Sequence, residues 1–285
     1  MKYGMNMLLW TTHVTEQHLP QIELLKTLGY DLVEIPMFQY DPDHYHRLGE
    51  QIRSIGLEPL ALTSRSPEDN PISADPAMRA HAVETGRLAI DCALAIGSPI
   101  LTGPFHSTFG IFSGAGPTEE EWAWGVEGMR ALGGYAGEQG ITLGLEFLNR
   151  FECYLLNTTA DTARFCEDTG FDNVGILYDT HHANIEEFDI AAAIRENARR
   201  INHIHISENN RGTPGTGQVA WQDTFDALHA VGYDGHLVVE AFALDLPELT
   251  PVVKCWRRLF ESEEQLARDA LAFMRREWDA RTGGN

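Results

Sequence analysis

The chain has 285 residues, enough for one large domain or two small ones, and its 43% hydrophobic content is ordinary for a globular protein. Asp and Glu total 42 against 21 Lys and Arg, a formal net charge of −21, which argues against nucleic acid and anionic membrane surfaces as partners because both need a basic face. No apolar stretch approaches the roughly 18 residues of a membrane span. The opening "MKYGMNMLLW" lacks a signal-peptide pattern, and Cys92, Cys153, Cys166 and Cys255 form no CxxC pair. The expectation is a cytoplasmic protein without a disulfide framework.

Strand-type runs recur along the chain. They fall at residues 3–9, 31–36, 57–63, 99–103, 141–147, 174–179, 201–207 and 236–242. Helical stretches fill the gaps between them. Thr118-Glu119-Glu120-Glu121 reads as a capping box, and Asp75-Pro76 sets a proline in a first helical turn. Gly29, Gly56, Gly97, Gly140, Gly170 and Gly232 each stand just before a strand, where a left-handed residue ends a helix. Eight alternations of β and α predict a (β/α)8 TIM barrel over 1–285 as a single domain, with a C-terminal helical stretch at 250–278. A doubly wound sheet is the alternative, but "LLWTTHVTEQ" after the first strand carries no glycine-rich dinucleotide fingerprint.

A barrel directs attention to the C-terminal ends of its strands. "LGLEF" brings Glu146, "ILYDTHH" brings Asp179, "HIHIS" brings His203 and His205, and "LVVEAF" brings Glu240. Taken singly, each glutamate is more often a helix cap or ion-pair partner than a ligand, and each histidine more often a core residue. Together, on four consecutive strands, they converge on one spot, and buried carboxylates need a partner. Alternation sets His203 and His205 on one face. His205 is nearer the rim and is the expected ligand; His203 is expected in the barrel core. Three carboxylates and one imidazole form an oxygen-rich set, suited to one divalent metal ion: Mn²⁺ first, with Mg²⁺ or Co²⁺ as alternatives.

The motifs "LEFLNRFE", "DTHHANIEE", "HISENNRGTPGTGQVAW" and "VVEAF", in this order, resemble those of the ketose 3-epimerases of the xylose-isomerase-like barrel superfamily. The resemblance covers nearly the whole chain and is strongest over 141–260. It implies metal ligation by Glu146, Asp179, His205 and Glu240, and proton transfer by Glu146 and Glu240. It implies contacts to the sugar oxygens from Glu152, His182 and Arg211. The family's Asp-Thr-x-His pattern selects His182 and leaves His181 without a role. It also implies a small-molecule ketose as substrate and a homodimer or homotetramer.

Such chemistry is coherent: a cation acidifies the proton alpha to a ketone, and inverting C3 takes carboxylates on both faces of the sugar. The chain departs from the family at the wall around the sugar's far end. Asn6 stands where relatives often carry an aromatic residue, and His13, Ser64, His106 and Phe109 are candidates for that wall, each reading equally well as loop packing. Rival readings are an aldose–ketose isomerase of a small sugar or hydroxypyruvate, a metal-dependent lyase on oxidised glycosides, a phosphoesterase of the endonuclease IV type, and a non-catalytic sugar-binding module. The acidic charge opposes the phosphoesterase.

Overall fold

In the computed structural model, described for residues 1–282, eight parallel strands close into a barrel in chain order. The last residues of the expected 1–285 domain, 283–285, lie outside the described residues. The strands are β1 (Lys2–Asn6), β2 (Leu32–Pro36), β3 (Glu58–Leu62), β4 (Ile100–Gly103), β5 (Thr142–Glu146), β6 (Val174–Asp179), β7 (Ile201–Ile206) and β8 (His236–Val239). Each pairs with the next, and β8 closes on β1 in a register that sets Gly4 beside Val238 and Met5 beside Val239. The single-domain TIM barrel is therefore the observed fold.

Ten helices complete the described chain: α1 (Leu19–Leu28), α2 (Pro42–Ile55), α3 (Pro76–Ile96), α4 (Glu119–Glu138), α5 (Thr159–Thr169), α6 (Thr180–Glu186), α7 (Ile190–Asn197), α8 (Trp221–Ala230), α9 (Thr250–Val253) and α10 (Glu263–Thr282). Their starts follow local chemistry. Asp41 and Asp75 cap α2 and α3 with a proline in the first turn of each, and Thr118 with Glu121 forms the reciprocal box that opens α4. All six glycines expected at helix ends have positive φ, from 68° at Gly232 to 100° at Gly29. Among the described residues no helix is long and apolar enough to cross a membrane.

Two strands are shorter than their apolar runs. The run at 3–9 leaves the sheet at Asn6, whose side-chain oxygen accepts the Leu8 amide at 2.8 Å and turns Met7–Leu9 into a short 3-10 segment. Polar capping there overrides apolar periodicity. β8 stops at Val239, and Glu240 follows it with its amide donating to the Ile206 carbonyl at 3.3 Å. One glycine is imposed by close approach: Gly103 ends β4 at φ 120°, and a Cβ there would strike the Thr63 carbonyl oxygen.

Candidate metal and catalytic site

The strand ends bring one donor atom each from Glu146, Asp179, His205 and Glu240 to within 4.8 Å of one another, all four buried. Parallel register does part of this directly, since Asp179 stands beside His205 across β6 and β7. His205 Nδ1 lies 3.6 Å from Glu240 Oε1, 3.8 Å from Glu146 Oε1 and 4.0 Å from Asp179 Oδ2. That nitrogen is buried and has no hydrogen-bond partner. An imidazole nitrogen orphaned among three carboxylates is the donor set a hard divalent cation takes, so these residues fit the expected ion.

The remaining sequence candidates join the same cavity, a space of about 500 Å³ with Glu146, Glu152, His182, Arg211 and Glu240 in its lining. Arg211 reaches in from the loop after β7, donating from Nη1 to Asp179 Oδ2 at 2.8 Å and to Glu240 Oε2 at 2.9 Å. Its Nη2 lies 3.0 Å from His182 Nε2. Burial alone would make this guanidinium easier to deprotonate, but Asp179 and Glu240 outweigh that and keep it charged. His182 is buried, takes the Asn149 amide on Nδ1 at 3.1 Å, and is held neutral by burial and by Arg211. Its Nε2 is 3.6 Å from Glu146 and 3.9 Å from Glu152.

Two carboxylates of this cavity diverge in acidity. Burial raises Glu146 well above the usual carboxylate range, and the Glu240 charge pushes it further. Burial pushes Glu240 the same way, yet His205 and Arg211 reverse the balance and hold it low. Opposite directions in neighbouring carboxyls are what an acid–base pair requires. His205 is held well above its ordinary value because Glu34 and Glu240 overcome its desolvation.

Sequence reasoning missed Glu34. It is a fully buried carboxylate within the apolar run of β2, 2.8 Å from His205 Nε2 and 3.0 Å from His203 Nε2. The criterion that selected Glu146 and Glu240, an acid inside an apolar strand, applies equally to "LVEIP". Glu208 was missed too. Its buried carboxylate accepts the amides of Asn209 at 3.0 Å, Gly215 at 2.8 Å, Gln218 at 3.1 Å and Val219 at 3.3 Å, and the Trp221 indole at 3.2 Å. It thereby shapes the loop on which Arg211 sits in a left-handed conformation, φ 65°.

The expected far wall divides. Ser64 and Phe109 line the cavity, together with Leu8, Phe38 and Phe242. Asn6 does not: it is fully buried beneath the site and donates to Glu34 at 2.7 Å. His106 is also buried away from the cavity, 2.8 Å from the Glu146 carbonyl oxygen, and His13 stacks on His44 beside a separate cavity. His203 lies deeper in the barrel than His205, as expected, and both are fully buried. His181 stands outside the main cavity, its Nδ1 3.2 Å from the Glu208 carbonyl. No Lys or Arg enters the ligand cluster from the strands β5 to β8; Arg211 joins it from the loop after β7.

The family model described as "Xylose isomerase-like TIM barrel" matches residues 22–277. The chain belongs to that family. An L-ribulose 3-epimerase of Mesorhizobium japonicum is 33% identical over 96% of this chain and 93% of its own length. A solved L-ribulose 3-epimerase superposes with TM-score 0.92 at 31% identity, covering 99% of this chain and 96% of that one. A solved D-allulose 3-epimerase from Methylomonas sp., in complex with D-allulose, gives TM-score 0.91 at 29% identity over 97% of both chains. The homologues of this barrel are ketose 3-epimerases, and the chain is an isomerase of the epimerase class.

Proposed function

We propose that the protein epimerises a free ketose at C3, of the D-tagatose, D-fructose, D-allulose or L-ribulose type, with Glu146 and Glu240 exchanging the C3 proton on opposite faces of the sugar. The observation that carries this reading is the pairing of two buried carboxylates in one cavity, from the ends of β5 and β8, around an orphaned imidazole nitrogen. Glu146, Asp179, His205 and Glu240 would hold one divalent ion, Mn²⁺ before Mg²⁺ or Co²⁺, which when bound polarises the ketone carbonyl as a Lewis acid.

The chain's own groups do the rest. One glutamate takes the proton from C3 as general base, and the other returns a proton to the opposite face. Each glutamate is base for one epimer and acid for the other, so the two exchange roles between the forward and reverse reactions. Arg211 and neutral His182, side by side, supply hydrogen bonds to the oxygens where negative charge develops. Glu152, half-buried and raised in pKa by burial, is suited to bind or relay a proton at a sugar hydroxyl. The apolar wall of Leu8, Phe38, Phe109 and Phe242 covers carbon and limits water.

The same reading makes the protein a cytoplasmic homodimer or homotetramer. Exposed Phe112, Phe151, Phe188 and Trp256 offer apolar surface that association would cover. The deciding experiment is turnover of a ketose panel with Mn²⁺ in deuterated water. Deuterium entering C3, with the C3 epimer as product, supports the proposal. Exchange at C1 without exchange at C3 would make the enzyme an aldose–ketose isomerase instead.

A further inference from the structure

Glu34 is the group that the reaction above leaves unused, and it is the most heavily engaged carboxylate beneath the site. Its Oε2 accepts the Asn6 amide at 2.7 Å and stands 2.8 Å from His205 Nε2. Its Oε1 lies 3.0 Å from the Thr102 hydroxyl and 3.0 Å from His203 Nε2, the latter out of line for a full hydrogen bond. The His205 contact is a hydrogen bond, and both carboxylate oxygens of Glu34 are engaged, by Asn6 and by Thr102. Glu34, His203 and His205, although compact enough to suggest a second ion, are therefore read as an internal polar network.

We propose that Glu34 is a positioning residue that decides which nitrogen His205 offers to the divalent ion. The inference rests on the metal-dependent reading above. Both oxygens of Glu34 already accept, from Asn6 and from Thr102, so its Oε2 takes a further donor at 2.8 Å, the Nε2–H of His205. A ring that binds a cation keeps its lone pair on the other nitrogen, and Nδ1 is the one that faces Glu146, Asp179 and Glu240.

Glu34 is itself held in place. Asn6 Oδ1 accepts the Leu8 amide, which turns the Asn6 nitrogen toward Glu34, and β1 and β2 align Asn6 beside Glu34. The break of β1 at Asn6 thus acquires a purpose: the residue that leaves the sheet also orients the carboxylate under the ligand. Glu34 is contributed by β2, on the other half of the barrel from the ligand strands, so the support of the ligand comes from across the ring.

Calorimetric titration of metal-free protein with Mn²⁺ tests this without any sugar. Glu34→Gln is expected to bind Mn²⁺ roughly 10- to 100-fold more weakly than the wild type, with its far-UV circular dichroism unchanged. Affinity within about twofold of the wild type overturns the proposal, since losing the partner of a metal-bound histidine typically costs about 10- to 100-fold. Asp179→Asn, lacking a ligand, separates the two levels. If it too binds Mn²⁺ as the wild type does, the metal reading itself falls; if it alone loses binding, only the role of Glu34 falls. A measurement on the Mg²⁺-loaded wild type stands even if Glu34→Gln does not fold. Nitrogen-15 NMR of the histidines should show His205 protonated at Nε2 and not at Nδ1. A proton on Nδ1 overturns the proposal.

Discussion

The two halves of the barrel mouth are built for different tasks. From β5 to β8 the strand ends deliver Glu146, Asp179, His205 and Glu240, the loops beyond β5 and β7 add Glu152 and Arg211, and α6 adds His182. From β1 to β4 and their loops come Leu8, Phe38, Leu62, Pro67, Pro104 and Phe109, a mainly apolar wall in which Thr12, Ser64 and Arg65 are the polar members. Most of the buried charge in the cavity is gathered on one side, where each group compensates another, while the opposite side brings Arg65, paired with buried Asp69, and Glu34 beneath the site. The other side supplies contact area. Catalytic power should therefore be lost by changes in the first half and substrate preference by changes in the second.

The largest effect expected is at Glu146 and Glu240. Glu146→Gln or Glu240→Gln should lower kcat by roughly 10²- to 10⁴-fold, the usual span for a positioned acid or base. Proton exchange at C3, read by NMR in deuterated water, should fall in parallel. A variant that still exchanges the C3 proton at the wild-type rate would remove that glutamate from the chemistry. Next comes Arg211→Lys, which keeps charge but loses the planar fork joining Asp179, Glu240 and His182. A decrease of about 10²-fold in kcat is expected, with the larger loss in kcat rather than in KM. Equal kcat with raised KM would make Arg211 a ground-state binding group only.

The contrast between the halves also explains what could be read from the sequence. The barrel was legible because strand runs and helix-ending glycines repeat at every unit, and each repetition reinforces the others. Glu146, Asp179, His205 and Glu240 were legible because a charge at the end of an apolar run needs a reason. Glu34 obeys the same rule but sits mid-run in β2, so attention to strand ends passed over it. Asn6 was misjudged because polar capping inside "YGMNMLL" breaks a run whose apolar pattern continues unbroken. For His13 and His106 the sequence left wall and loop packing equally open, because a loop histidine leaves no periodic trace and only folding decides whether it meets the cavity. The apolar wall carries no such signature either, since Leu8 or Phe38 in a sequence looks like any other core residue.

His106 marks the seam between the halves, since it follows β4 yet contacts the carbonyl of Glu146. Burial lowers its pKa to about 4, and the hydrogen bond to that carbonyl only partly opposes this. The folded protein thus holds the ring neutral where the unfolded chain, near 6.5, would already bind a proton. Stability from this group is complete above pH 6.5 and is lost as pH falls toward 4. Between pH 7.5 and 5 the loss should be on the order of 2 kcal/mol, visible as a lower urea midpoint. His106→Asn should reduce this pH dependence relative to the wild type, whatever its effect at neutral pH. Parallel curves for the two proteins would mean that His106 titrates alike folded and unfolded.

The smallest expected effect belongs to the wall, and it is the sharpest test of the division between the halves. Phe109 is half-buried, lines the cavity and carries Lys254 over its ring at 5.6 Å, far from the carboxylates in chemistry if not in space. Phe109→Ala removes apolar contact worth roughly 1 kcal/mol if the ring covers part of the sugar. Contact of that kind is made equally in the ground and transition states, so KM should rise about fivefold while kcat stays within about twofold. The ranking of ketoses in a substrate panel should change as well, because the wall touches the carbons remote from C3. A fall in kcat at unchanged KM would show that Phe109 acts on the reacting centre through the ordering of the site. The apolar half of the mouth would then belong to the catalytic machinery, and the separation of tasks would fail at its weakest point.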